Sequence, residues 1–208
     1  MKEYHKIQTV FLRDPATKYK TLLMWQYAKP EFEYLEGNPW VWTEKVDGTN
    51  IRVMFDGEVI TFGGKTDRAQ IPAKLVTRLN EMFIPQLDIF KNNYPDGICL
   101  YGEGYGAGIQ SGGNYTLNQD FVLFDVKIGD WWLQREDCEG ISRALNLDIV
   151  PVVGVGSISR MVDKVEDGFE SAWGAFTAEG IVARPTIELK ARNGERIITK
   201  LKHKDFWS

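Results

Sequence analysis

Residues 43–50 read TEKVDGTN, from Thr43 to Asn50, between two runs of strand character, WVW at 40–42 and IRVMF at 51–55. A lysine two residues ahead of an Asp-Gly pair is ordinary turn punctuation in most chains. Whether Lys45 is more than that depends on what the rest of the chain supplies. An unperturbed lysine is protonated at neutral pH, and keeping its amine uncharged there costs about 4.6 kcal/mol, which nearby positive charge or desolvation must offset. The stretch IITKLKHKDF carries such charge: Lys200 and Lys202 stand at i and i+2, on one face of a strand. If Thr43–Val46 is extended, Glu44 and Lys45 point to opposite faces, so the adjacent acid need not hold the ammonium form.

Outward from this stretch, IRVMF and VITFGG are joined by Asp56-Gly57, a hairpin turn pair. Pro72 opens AKLVTRLNEMFIPQLDIFKNN, where Leu75, Leu79, Met82, Phe83, Leu87 and Phe90 recur at helical spacing and Pro85 should kink or divide the helix. ICLYGEGYG reads as a strand, and FVLFDVKI with WWLQ as a further hairpin. Helices are expected from about Arg135 to Asn146 and near Met161 to Phe169. EGIVARP, TIELKA and RIITKLKH read as closing strands, with Asn193-Gly194 a turn. The expected fold class is α+β, mainly antiparallel sheets with flanking helices. No repeat or low-complexity linker divides the 208 residues, so one domain over 1–208 is expected, with no accessory domain after it.

A formal net charge of −4 gives no overall electrostatic sign of a nucleic-acid binder, though a local basic groove is compatible with it. His5 and His203 alone cannot form a histidine triad or a multi-histidine metal centre. Cys99 and Cys138 lack C-x-x-C spacing and read as reduced, buried thiols. With no apolar run of membrane-spanning length and no signal pattern, a cytoplasmic protein without a membrane partner is expected. The Gly-rich loop from Gly102 to Gly113 lacks the G-K-[ST] ending of a P-loop.

Carboxylates able to hold a metal or a ribose occur in two glycine-flanked places, Glu103 in LYGEGYG and Glu179 in AEGIVARP. There the glycines would let a ligand approach the backbone closely. FVLFDV offers an aromatic platform for a base, with Phe124 one candidate and Phe121 another. Singly, each has an ordinary surface or core reading.

Their order changes the weighing. EKVDGTN, YGEGYG, LFDV, EGIVAR and ITKLK follow one another from Thr43 to about Lys202. Together they resemble the motif series of the covalent nucleotidyltransferases, the superfamily of polynucleotide ligases and mRNA capping enzymes. Asn50 stands where DNA ligases and capping enzymes generally carry arginine, and KVDGTN is similar to the RNA ligase 2 family; GGKTDRAQIP also resembles small phage-type and bacterial members.

The resemblance implies an adenylation domain and an ATP-dependent RNA ligase needing Mg²⁺ or Mn²⁺. Its substrate would be RNA with 5′-phosphate and 3′-hydroxyl ends in a nicked duplex, and it would act as a monomer. On that pattern Lys45 is the nucleophile that becomes lysyl-AMP, with Glu44 beside it in the nucleotide site. Glu103 binds the ribose, Phe124 stacks on adenine and is followed by Asp125, and Glu179 serves the metal-dependent steps. Lys200 and Lys202 contact the nucleotide phosphates and favour the neutral amine of Lys45. Asn50 acts near the scissile phosphate or RNA 3′ end, and Lys65 contacts phosphate at a position that is often arginine. A capping-type guanylyltransferase, a DNA ligase and a nucleotide-binding module without sealing activity are the alternatives.

Overall fold

The computed structural model describes residues 3–207. In chain order its elements are β1 (Gln8–Thr9), β2 (Phe11–Arg13), β3 (Leu22–Tyr27), α1 (Pro30–Tyr34), β4 (Trp40–Glu44), β5 (Thr49–Phe55) and β6 (Ile60–Gly63). There follow α2 (Ala73–Phe83), α3 (Leu87–Asn93), β7 (Ile98–Tyr105), β8 (Asp120–Ile128), β9 (Trp131–Trp132), α4 (Arg135–Ala144), β10 (Val152–Gly156) and α5 (Ile158–Asp167). The chain closes through β11 (Glu170–Ser171), β12 (Gly174–Thr177), β13 (Gly180–Pro185) and β14 (Thr199–Lys202). These elements form two compact units: residues 3–5 with Asp47–Val150, and Lys6–Val46 with residues 151–207.

The first unit is built on an antiparallel sheet in the order β6-β5-β7-β8-β9. Period-two alternation sends Ile51, Val53 and Phe55 of β5 to the core. There they meet Leu75, Leu79 and Phe83 of α2, Phe90 of α3 and Cys138 and Ile141 of α4. The helical spacing is therefore a core face, and Pro85 divides it. Residues Ile84–Gln86 form a 3₁₀ turn between α2 and α3, because proline supplies no N–H to continue the α ladder. On β8 the register slips: Tyr101 pairs with Asp125 but Gly102 pairs with Leu123, which leaves Phe124 as the extra residue of a β-bulge.

The second unit carries a sheet in the order β1-β14-β13-β4-β10, parallel between β1 and β14 and antiparallel elsewhere. Trp40 and Trp42 of β4 face a core with Phe11, Phe32, Ile181, Leu201 and the Ile158, Met161, Val162 and Val165 stripe of α5. The Trp42 ring crosses Gly154 and Gly156 of β10, where a Cβ would lie 2.5 and 2.8 Å from it. Helix α5 begins earlier than expected because Ser157 caps it, its Oγ accepting from the Arg160 N–H.

Residues 45–48 form the crossover between β4 and β5, which lie in different sheets. Two local expectations are corrected. TIELKA is not a strand, since residues 186–191 are irregular apart from one bridge between Lys190 and Arg196. Glu188 there grips the buried Arg196 guanidinium at 2.5 and 2.9 Å, beside backbone bonds from Ile197 N–H to the Leu189 carbonyl and from Ala191 N–H to that of Glu195. Helix α4 stops at Ala144, before the expected Asn146, which takes a left-handed φ of 48° that ends the helix.

Cys99 and Cys138 are buried thiols outside any disulfide, as expected, and burial pushes the Cys99 thiol up from its ordinary value. Neither is expected to react with a thiol reagent until the protein is unfolded; rapid labelling of native protein in a colorimetric thiol titration would contradict this packing. Among the described residues no helix is long and apolar enough to cross a membrane.

Candidate active site

In the second unit β14, β13 and β4 are neighbours, and their ends bring charged side chains together. Lys45 follows β4, Glu179 precedes β13, and Lys202 ends β14 opposite Gly180. The backbone fixes this junction: Lys45 N–H donates to the Gly180 carbonyl at 2.9 Å, and His203 N–H to that of Glu179 at 2.9 Å. Glu179 then divides its carboxylate. Oε2 lies 2.5 Å from Lys45 Nζ and Oε1 lies 2.6 Å from Lys202 Nζ. Lys200 occupies the same face of β14 opposite Val182. Lys45 and Lys202 share one carboxylate, and with Lys200 on the same face of β14 this strand end carries an excess of positive charge suited to a polyphosphate.

Glu44 points the other way, as the alternation of β4 requires. It is 1% exposed, and its two oxygens accept from Ser171 Oγ at 2.6 Å and Ala172 N–H at 2.8 Å. Its carboxylate is thus occupied by the protein's own turn between β11 and β12, leaving Glu179 as the acid paired with the lysines.

In the first unit, the sheet face turned away from the helices is unusually polar. Asn50 pairs with Glu103, and Arg52 with Tyr101, across β5 and β7. Asn50 Oδ1 is buried without a hydrogen-bond partner, a state that calls for a ligand or water donor. Glu103 runs over Gly48, where a Cβ would stand 2.9 Å from Glu103 Cγ. Phe124, displaced by the bulge, packs with Tyr4 at 5.1 Å, while Tyr4 donates to Asp125 Oδ2 at 2.7 Å. Phe121 is 1% exposed and packs against Phe83 at 5.5 Å, so it is core and Phe124 is the available ring. Lys65 sits exposed in the loop after β6.

The glycines beside the two carboxylates serve a different purpose from the one expected. A Cβ on Gly102 would meet the Phe121 ring at 2.2 Å, one on Gly104 would meet Leu75 at 2.4 Å, and one on Gly180 the Leu201 carbonyl at 2.1 Å. The space they open is filled by the chain itself and not by a ligand.

Sequence reading passed over Arg52, although Asn50, Arg52 and Met54 alternate with the apolar Ile51, Val53 and Phe55. Buried at 1% exposure, Arg52 donates to the Gly64 carbonyl at 2.9 Å and Asp67 at 2.7 Å, tying the Lys65 loop to the sheet. It also passed over Asp47 as a fastener: its N–H donates to Tyr115 Oη at 3.1 Å and its Oδ2 accepts from Ser111 N–H at 3.3 Å.

Among the described residues no group of three or more His, Cys, Asp or Glu side chains could hold a metal unaided. A lone carboxylate such as Glu179 fits Mg²⁺ or Mn²⁺ only where phosphate oxygens and water fill most of the coordination shell.

The family model for RNA ligase matches residues 38–202. Solved structures of an RNA ligase from Naegleria gruberi are similar in fold. An apo point mutant superposes with a TM-score of 0.72 at 17% identity, covering 99% of this chain and 56% of that one. A mutant holding ATP and manganese gives 0.72 at 18%, covering 97% and 56%. Another, holding AMP and manganese, gives 0.71 at 16% with the same coverage. The chain thus spans just over half the length of these ligases.

Proposed function

The chain belongs to the RNA ligase family, and from that premise we propose that it is an ATP-dependent RNA ligase working through a lysyl-AMP at Lys45. The observation that carries this reading is the division of Glu179 between Lys45 and Lys202, which holds the amine at a cationic strand-end.

In the first step Lys45 Nζ loses a proton, and the Glu179 oxygen at 2.5 Å is the acceptor within reach. The amine attacks the α-phosphorus of ATP, a P–N bond forms, and the bond to pyrophosphate breaks. Lys200 and Lys202 supply charge for the phosphates as negative charge gathers on the leaving group. Glu103 binds the ribose, and the Phe124 ring stacks on adenine. A divalent ion at Glu179, when bound, supplies further neutralisation of phosphate charge.

AMP then passes to an RNA 5′-phosphate, freeing Lys45 and forming a 5′-5′ pyrophosphate. The RNA 3′-hydroxyl displaces AMP to form the phosphodiester, with Asn50 and Lys65 near the reacting ends. We take the substrate to be a nick in duplex RNA, and the working form a cytoplasmic monomer.

The test is to incubate the protein with α-labelled ATP or GTP and a divalent ion, without nucleic acid, and to look for acid-labile label on denatured protein. Label from ATP supports the reading. Label only from GTP replaces it with capping chemistry, and label from neither leaves a binding module.

Phe124→Ala is expected to raise the ATP concentration needed for half-maximal labelling roughly tenfold, as loss of a stacking partner does. Phe121→Ala should instead lower unfolding free energy by about 3–5 kcal/mol in a urea titration. The reverse pattern would exchange their roles.

A further inference from the structure

The hairpin of β2 and β3 lies outside the residues matched by the RNA ligase family. Between Lys6 and Lys29 the sequence has five basic residues, Lys6, Arg13, Lys18, Lys20 and Lys29, and a single acid, Asp14. That local charge of +4 sits in a chain whose total is −4. Arg13 and Lys29 are paired with Asp205 and Glu195, while Lys18 and Lys20 are exposed.

Two large aromatic side chains stand among these lysines, Tyr19 at 62% exposure and Trp25 at 53%. Both have left-handed backbone, with φ of 63° and 65°, and Lys18 has 56°. Three of the five non-glycine residues with positive φ among the described residues therefore fall in this hairpin. Such backbone persists only where its surroundings impose it, and it concentrates at functional positions.

The surroundings here are specific. Asp14 Oδ1 accepts from Ala16 N–H at 2.8 Å, and Tyr19 N–H donates to the Asp14 carbonyl at 2.9 Å. Arg13 donates to the carbonyls of Tyr19 at 3.2 Å and Lys20 at 3.3 Å while its other nitrogen grips the buried Asp205 at 2.8 Å. Trp25 is pushed out by the register of the hairpin. Phe11 pairs with Tyr27 and Arg13 with Leu22, so β3 carries three more residues than β2 between these pairs. Met24, Trp25 and Gln26 are all exposed as a result. The indole rests edge-on to the buried Phe11 ring at 5.3 Å.

We propose that this hairpin is a stacking platform for a single-stranded polynucleotide, with Tyr19 and Trp25 each taking the face of a base and Lys18 and Lys20 the adjoining phosphates. Rigid aromatic rings among cations are what sequence-tolerant binding of single strands requires. The backbone fixes where both side chains leave the hairpin, and the Trp25 ring rests on Phe11, so less freedom is lost on binding. No residue of the Lys45 site takes part.

The test uses single-stranded RNA of about 12 nucleotides, within the usual site size, and DNA of the same sequence, each labelled with fluorescein and followed by anisotropy. Trp25→Ala and Tyr19→Ala are each expected to weaken both strands about tenfold, with Trp25→Phe recovering most of the loss. Lys18→Ala with Lys20→Ala should reduce the slope of log affinity against log salt by about 1.4, the share of two phosphate contacts on a single strand. Labelling of Lys45 by ATP, measured without nucleic acid, should be unchanged in all of them. Wild-type affinity in both aromatic variants, with native circular dichroism, would overturn the proposal. So would a dimer in sedimentation that Trp25→Ala dissolves, which would make the patch a contact between copies of the chain.

Discussion

Lys45→Met is expected to lose labelling by α-labelled ATP by roughly 10³-fold or more, the scale on which removal of a covalent nucleophile acts. Methionine matches the apolar stem in length, with sulfur in place of one methylene, and lacks the amine, and the lysine side chain it replaces is 19% exposed at a strand end. Unfolding by urea should therefore move little. What changes is the ion network, since Glu179 keeps Lys202 but loses its second cation. Label persisting in the variant at the wild-type level would place the adduct on another residue and remove the basis of the mechanism given above. A useful second reading comes from RNA already carrying a 5′-5′ pyrophosphate-linked AMP. Sealing that substrate bypasses Lys45 as nucleophile, so the variant should retain it while the labelling step is lost.

Glu179→Ala is expected to be nearly as severe, lowering the labelling rate by about 10²–10⁴-fold, the range for loss of a positioned proton acceptor. Three consequences follow from one carboxylate. The amine of Lys45 loses the oxygen that aims it, Lys202 loses its anchor, and the positive charges of the strand-end stand without a counter-ion. Saturating ATP should not restore the rate, because the defect lies in the reacting geometry and not in uniform binding. Glu179→Gln separates charge from shape: the amide fills the same space but cannot take the proton, so it should fall with the alanine variant. A Gln variant that labels at the wild-type rate would show that Glu179 only spaces the two lysines.

Much of this site was legible because its parts are short and local. KVDGTN, GEG, FD, EG and TKLK each name residues within a few positions, and strand alternation alone separates Glu44 from Lys45. The partnership of Lys45 with Glu179 was not, because it spans 134 residues and depends on strand order. Alternation puts Phe121 and Phe124, three residues apart, on opposite faces, but it did not say which face is the core, and the bulge at Phe124 reverses the pattern beyond it. Helix α2 and its division at Pro85 were plain from spacing. The β2–β3 hairpin gave no readable alternation, because three of its residues adopt left-handed backbone and its register slips.

The strand order of the second unit also governs when its chemistry can come into being. Thr199 Oγ1 donates to the Gln8 carbonyl, a contact across 191 residues, and β4 meets β13 only after the whole of the other unit has been traversed. Closing loops of that length is slow, whereas residues 47–150 are contiguous and can collapse as they are synthesised. The sheet that aims Lys45 is therefore completed only after the other unit, when β13 and β14 have been made. A nascent chain emerging from the ribosome already displays its lysine but has no counter-ion junction around it, so chemical competence waits until Glu179 and Lys202 have been synthesised and paired with it.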